Sequence, residues 1–169
     1  SILFVWSLYN AVILGIGVKH LRKAGKKTMA SVGGEHRDFP FFSVIVPVED
    51  EEKVIGRLLK SLSALDYPSE KWEIVLVEDG STDMTTKMCA EYVAAHPSQA
   101  RLVHKKISNG KPSALHCGLE HVRGDIIAVF DADSVLEPEI LLKTASYFEN
   151  PSIVAVQGRP CSINADENI

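Results

Sequence analysis

Asp131 and Asp133 stand one residue apart at the end of the apolar run "IIAVF", and Glu137 follows four residues later. Carboxylates crowded in this way repel one another and are costly to desolvate. In an extended or turning backbone, residues i and i+2 project to one side, so both aspartates can address one ligand. Their oxygens suit Mg²⁺ or Mn²⁺, cations that keep waters and take phosphate oxygens as further ligands. A metal bridging a diphosphate would neutralise the charge that builds on a departing nucleotide. A solvated acidic turn is the plainer alternative; the position directly after a buried strand argues against it.

Two further stretches carry chemistry. In "VEDGSTD", Ser81 or Thr82 suits a helix N-cap and Asp83 the first turn. The cap leaves Glu78 and Asp79 unexplained, and a carboxylate there could accept a hydrogen bond from a base N–H. In "NGKPSALH", Lys111 sits at the mouth of a helix. A cation there could face a phosphate or a nucleobase carbonyl, although a solvated lysine fits the spacing as well. His104, His116 and His121 show no metal-ligand spacing with one another, and Arg159 has no assigned role. GxxxxGK[ST] and GxGxxG are both absent from the sequence, so neither a P-loop nor a dinucleotide fingerprint is present.

The elements that must hold these residues can be read from periodicity. "FSVIVPV" (42–48) is a continuous apolar run of the kind buried on both sheet faces. Residues 50–65 follow with Val54, Ile55, Leu58, Leu59, Leu62 and Leu65 at helical spacing, and acids in the first turn suit the helix dipole. "WEIVLVED" (72–79), "ARLVHKK" (100–106), "GDIIAVFDAD" (124–133) and "SIVAVQG" (152–158) read as four further strands. Between them lie helices over 81–95 and 137–149 and, within 109–122, a turn and then a helix, with Pro112 suited to its first position. Strands alternating with helices imply parallel βαβ units in a doubly wound α/β layer, which binds ligands outside the carboxyl ends of its strands. Glu49 to Glu52, Glu78 with Asp79, and Asp131 with Asp133 would then converge on one rim.

The 169 residues suffice for one domain with a real core, and 46% hydrophobic with 24% charged residues is ordinary for a globular protein. The net charge of −4 hides an asymmetry. Residues 19–27 hold five Lys/Arg and no acid, leaving 13 basic against 22 acidic residues elsewhere, a net of −9. So acidic a body repels a phosphate backbone, which excludes general nucleic-acid binding. Cys89, Cys117 and Cys161 form no CxxC pair and read as free thiols of a reducing compartment.

Residues 2–18 carry no charge, near the lower limit for spanning a bilayer, and the basic cluster follows at once. The positive-inside rule would put residues 19 onward in the cytoplasm and the N-terminus outside. Residues 1–20 are therefore expected as one transmembrane helix, 21–40 as a basic linker containing Gly33-Gly34, and 41–169 as the working domain. A buried core helix is the competing reading of the apolar run. The expected location is the cell membrane, with the domain on the cytoplasmic face.

"SVIVPVEDEEKVIGRLLKSL", "VLVEDGSTD", "GKPSALHCGLEHVRGDIIAVFDADSVLEP" and "VAVQGR" together resemble family 2 glycosyltransferases, in one collinear run over residues 41–163. The lysine and "FDADSVLEP" stretches lean toward membrane-bound polysaccharide synthases of the cellulose, hyaluronan and poly-N-acetylglucosamine kind. The resemblance implies a GT-A fold, a Rossmann-like and mostly parallel sheet flanked by helices. It implies a nucleotide-sugar donor, UDP-linked, and inverting transfer to a glycan or lipid-linked acceptor. By the same resemblance Pro47 and Val48 line the nucleotide pocket, with Glu49 and Glu78 beside it. Asp79 contacts the base and Lys111 lies near the nucleoside. Asp131 approaches the ribose or the metal, and Asp133 is the main protein ligand to Mg²⁺ or Mn²⁺. The family usually carries Tyr-Asn where this chain has Glu49-Asp50, and Asn where it has His116. The base that takes the acceptor's proton is expected beyond Ile169, which makes these residues the donor-binding half. A haloacid dehalogenase-like phosphatase, with its DxD after a strand, and a non-catalytic, membrane-tethered nucleotide-sugar-binding module are the alternatives.

Overall fold

The computed structural model describes residues 39–105 and 107–159. They form a four-stranded, wholly parallel sheet of β1 (Phe42–Val48), β2 (Trp72–Glu78), β3 (Ala100–His104) and β4 (Ile126–Val129), in the order β3-β2-β1-β4. Helices α1 (Ile55–Leu62), α2 (Thr85–Ala95), α3 (Lys111–Leu119) and α4 (Ile140–Phe148) alternate with the strands, and a 3₁₀ turn covers Ser69–Lys71. This is the parallel α/β sheet flanked by helices that the alternation predicts. Among these residues no helix is long and apolar enough to cross a membrane. The apolar run 2–18 and the basic cluster lie outside them.

Both faces of β1 and β2 are covered, which is why these strands read as unbroken apolar runs. Val44, Val46, Ile74 and Leu76 point to one side and pack with Ile55, Leu58 and Leu62 of α1, Cys89 of α2 and Leu141 of α4. Ile45, Val75 and Val77 point to the other side, against Ala114 of α3. Burial pushes the Cys89 thiol up to about 12, as suits an inert core residue. On the α3 side the fit is tight. A Cβ on Gly118 would stand 2.7 Å from Ile45 Cγ2 and 3.1 Å from Val77 Cγ2. Only glycine lets α3 lie this low, and that depth sets where its first residue, Lys111, emerges.

The amino ends of the strands are held by ionic bonds. Glu73 of β2 is buried beside Ser43 of β1, which donates to its Oε1 at 2.7 Å. Arg101 of β3 and Arg123 after α3 both reach Oε2 at 2.9 Å, and the Arg123 backbone N–H donates to Oε1 at 2.8 Å. Burial alone would raise the Glu73 pKa, yet the bonds from Arg123 and Ser43 and the charge of Arg101 outweigh it and hold the carboxyl below its ordinary range.

Three expectations need correction. The first helix begins at Ile55, and its first turn holds no acid; Asp50 to Glu52 belong to the preceding loop. Ser81 and Thr82 do not cap α2. The N-cap position is Met84, without a side-chain bond, and Asp83 Oδ1 accepts the Thr85 N–H at 2.8 Å instead. Residues 152–158 form no strand: Val154 is 90% exposed, and the segment does not join the four-stranded sheet. An apolar run becomes a strand only where an open edge receives it.

Candidate functional site

A cleft of about 270 Å³ opens at the carboxyl ends of β1, β2 and β4, lined by Pro47, Val48, Glu49, Glu51, Asp79, Lys111, Ala114, Asp131, Ala132 and Asp133. The chain runs from β1 out to β3, then returns to place β4 on the other side of β1. The cleft therefore lies where the strand order reverses, the usual ligand crevice of open α/β sheets. Of the residues singled out from the sequence, Pro47, Val48, Glu49, Asp79, Lys111, Asp131 and Asp133 meet there, and Glu78 does not.

Asp79 directly follows β2, its side chain 3% exposed. Its Oδ1 accepts from Lys105 Nζ at 2.6 Å, while Oδ2 is buried with no partner among the described residues. A buried acceptor without a donor, on a residue that lines a cleft, is costly unless something brings one. Lys105, just after β3, carried no signal beyond its place near the end of an expected strand. A lysine in "HKK" looks like surface charge.

Across the cleft, Lys111 is the first residue of α3, launched from Gly110 at φ 77, and its Nζ lies 2.5 Å from Asp131 Oδ1. Both side chains are more than half exposed, so the pair is open to exchange with another ion. Asp133, Glu49 and Glu51 form no ion pair among the described residues, and one lining lysine faces five lining acids. That imbalance favours a cation. No group of three His, Cys, Asp or Glu among the described residues could hold a metal alone. Two carboxylates with positions left for water and phosphate oxygens fit Mg²⁺ or Mn²⁺, which are seldom caged by protein groups only. Asp131 and Asp133 are the residues that would hold it.

The other rim acids have different work. Glu78 turns away from the cleft: its Oε1 accepts the Ser81 N–H at 2.5 Å and its Oε2 lies 3.2 Å from His104 Nδ1. Burial opposes its ionisation, but the bonds from Ser81 and His104 prevail and lower its pKa. Asp50, at φ 51, accepts from the Thr82 N–H at 2.7 Å and the Thr82 hydroxyl at 3.2 Å. The Ser81 hydroxyl in turn accepts the Asp50 N–H at 3.1 Å, and Thr85 Oγ1 that of Glu51 at 2.7 Å. Glu52 Oε2 accepts the Met84 N–H at 3.1 Å. The acids of the two loops are thus answered largely by backbone N–H groups, and the loops after β1 and β2 are sewn together. Glu49 Oε1 accepts from Ser108 Oγ, in the loop after β3, at 3.2 Å.

In a haloacid dehalogenase arrangement the paired aspartates follow the first strand. Here they follow β4, while β1 ends at Val48 and is followed by Glu49.

Comparison with known proteins agrees with this geometry. A beta-monoglucosyldiacylglycerol synthase of Nostoc sp. (strain PCC 7120) is 37% identical over 131 residues, which are 76% of this chain and 28% of that protein. The chain thus spans under a third of that relative's length. The mannosyltransferase PcManGT from Pyrobaculum calidifontis, solved in complex with GDP-Man and Mn²⁺, superposes with a TM-score of 0.67 at 28% identity, over 85% of this chain and 43% of its own. S. aureus TarS in complex with UDP-GlcNAc gives 0.60 at 30% identity, over 64% and 31%. Residues 43–168 match the sequence model described as Glycosyl transferase family 2. With a GT-A-like parallel sheet and an acidic cleft at its switch point, the chain belongs to glycosyl transferase family 2.

Proposed function

We propose that these residues bind the nucleotide-sugar donor of a membrane glycosyltransferase, and that the whole protein transfers the sugar to a lipid or lipid-linked glycan with inversion. The observation that carries the reading is the buried, unanswered Asp79 Oδ2 in the same cleft as Lys111, Asp131 and Asp133. A nucleotide diphosphate supplies a base N–H for Asp79, which lacks a donor, and anionic oxygens that Lys111 can take in exchange for Asp131. Pro47 and Val48 are the apolar wall for the nucleoside, and Glu49 stands at its lip. Asp131 and Asp133 would hold Mg²⁺ or Mn²⁺, which supplies positive charge for the diphosphate as it becomes the leaving group. Lys111 would share that task, since its pairing with Asp131 is exposed and open to exchange.

The complexes of the two structural relatives with GDP-Man and UDP-GlcNAc support the donor class, and Mn²⁺ in the first supports the metal. The name of the Nostoc relative supports a lipid acceptor. The charge-free run 2–18 with its basic flank supports a membrane anchor and a cytoplasmic site. The net of −9 over the rest of the chain argues against nucleic acid as a partner.

Calorimetric titration of UDP and GDP into the full chain, with Mn²⁺ and with chelator, tests the reading. One nucleotide should bind in the presence of the metal, and Asp133→Ala should abolish the metal-dependent part. Binding of neither nucleotide, or binding indifferent to both metal and Asp133, overturns it.

A further inference from the structure

The unanswered oxygen of Asp79 has a charged donor beside it. Lys105 reaches Asp79 Oδ1 at 2.6 Å and is itself only 9% exposed. An ammonium carries three N–H donors, and one of them is used among the described residues. Asp79 Oδ2, on the same carboxylate, is buried and empty-handed, and the residue lines the cleft. The ends of β2 and β3 so present an acceptor and a donor side by side. Their complement is an imide edge, in which a ring N–H stands next to a carbonyl. Uracil and guanine carry that edge. Cytosine and adenine offer an amidine edge instead, where the ring nitrogen is a bare acceptor and would face Asp79 Oδ2 with like polarity.

We propose that Lys105 is a specificity-determining residue of the donor site. Asp79 Oδ2 accepts the imide N–H of the donor's base, and the Lys105 ammonium donates to the adjoining carbonyl. The proposal rests on the nucleotide-sugar reading and adds to it a residue and a base class. Rejection of the amidine bases follows from geometry. With the diphosphate held at the opposite end of the cleft, a cytosine ring cannot slide to bring its amino group to Asp79 without leaving its phosphate contacts. A site built around buried polar groups rejects a ligand that leaves them unpaired far more strongly than an apolar pocket rejects an isostere.

The test is a cycle between ligand atoms and Lys105, run by titration into the full chain with Mn²⁺. UDP or GDP should bind at least about ten-fold tighter than its amidine counterpart, CDP or ADP. Replacing the base carbonyl oxygen by sulfur, a poorer acceptor, should weaken binding several-fold in the parent. The probes are 2-thio-UDP and 4-thio-UDP, or 6-thio-GDP. That penalty should vanish in Lys105→Met and return in Lys105→Arg. If Lys105 merely held Asp79 in place, Lys105→Met would weaken every ligand equally and leave the sulfur penalty intact, which overturns the proposal. Should Lys105→Met not fold, the parent decides alone, since absence of any sulfur penalty there is equally fatal. UDP or GDP binding without base discrimination defeats only this assignment, whereas no nucleotide binding defeats the transferase reading with it.

Discussion

Asp50 Oδ1 accepts the Thr82 backbone N–H at 2.7 Å, bridging two loops that lie 32 residues apart in the chain. The bond joins the end of β1 to the turn that follows Asp79, so it helps to fix the carboxylate that would meet the base. Asp50 also sits at φ 51, a left-handed conformation that Asn and Asp tolerate better than most residues.

Asp50→Ala should therefore loosen both loops. We expect a loss of about 1–2 kcal/mol in stability, from the lost bonds and the strained backbone together. Nucleotide affinity should fall with it. Asp50→Asn keeps an acceptor oxygen and the tolerance for positive φ, and should stay close to the parent. Urea denaturation and UDP titration of the two variants check this; equal behaviour of Ala and Asn would show that the bond is idle.

Asp133 is exposed and forms no ion pair among the described residues. Removing it costs the fold little, within about 0.5 kcal/mol. Mn²⁺ affinity should nevertheless drop at least about ten-fold, because one of only two protein carboxylates is lost. Manganese EPR beside a thermal melt separates the two effects. A melt that shifts as much as the metal affinity would refute the assignment.

Gly118→Ala places a methyl group 2.7 Å from Ile45 Cγ2. Overpacking of this kind costs about 1–3 kcal/mol. Since α3 must lift to relieve it, Lys111 moves away from Asp131, and UDP affinity should weaken more than a surface substitution on the same helix would cause. Gly118→Ala beside a Glu120→Ala control makes the comparison.

Glu73 gives the fold an acid limit. Its carboxyl is held below the ordinary value of 4.5 in the folded state. A group lowered by folding contributes stability above its unfolded pKa, and that contribution is lost as pH falls through the folded value. The urea midpoint of the parent should thus decline below about pH 5, partly on this account. Glu73→Gln should be less stable at neutral pH by about 1–3 kcal/mol and decline less between about pH 5 and about pH 3. Parallel slopes for parent and variant over that interval would remove Glu73 from the acid limit.

The alternation of apolar runs and helical periodicity was enough to read a parallel α/β sheet, and the acids at three strand ends were enough to locate the rim. Local sequence carries both, because strand and helix periods are properties of neighbouring residues and parallel strands point their carboxyl ends the same way. The partner of each carboxylate was not legible. Asp50, Glu52, Glu78 and Asp79 look alike as letters, yet Asp50 and Glu52 are bound by N–H groups of a loop 32 residues away, Glu78 by its own turn and by distant His104, and Asp79 alone keeps a buried oxygen without a partner among the described residues. Lys105 was invisible for the same reason, since its partner lies 26 residues away. The run at 152–158 shows the converse limit. Apolar composition proposes a strand, but an edge elsewhere in the molecule must accept it. Sequence settled which residues could be charged and on which side of the sheet they would stand. Tertiary structure decided which charges were already answered, because hydrogen bonds reach only about 3 Å and the groups within that distance come from distant parts of the chain.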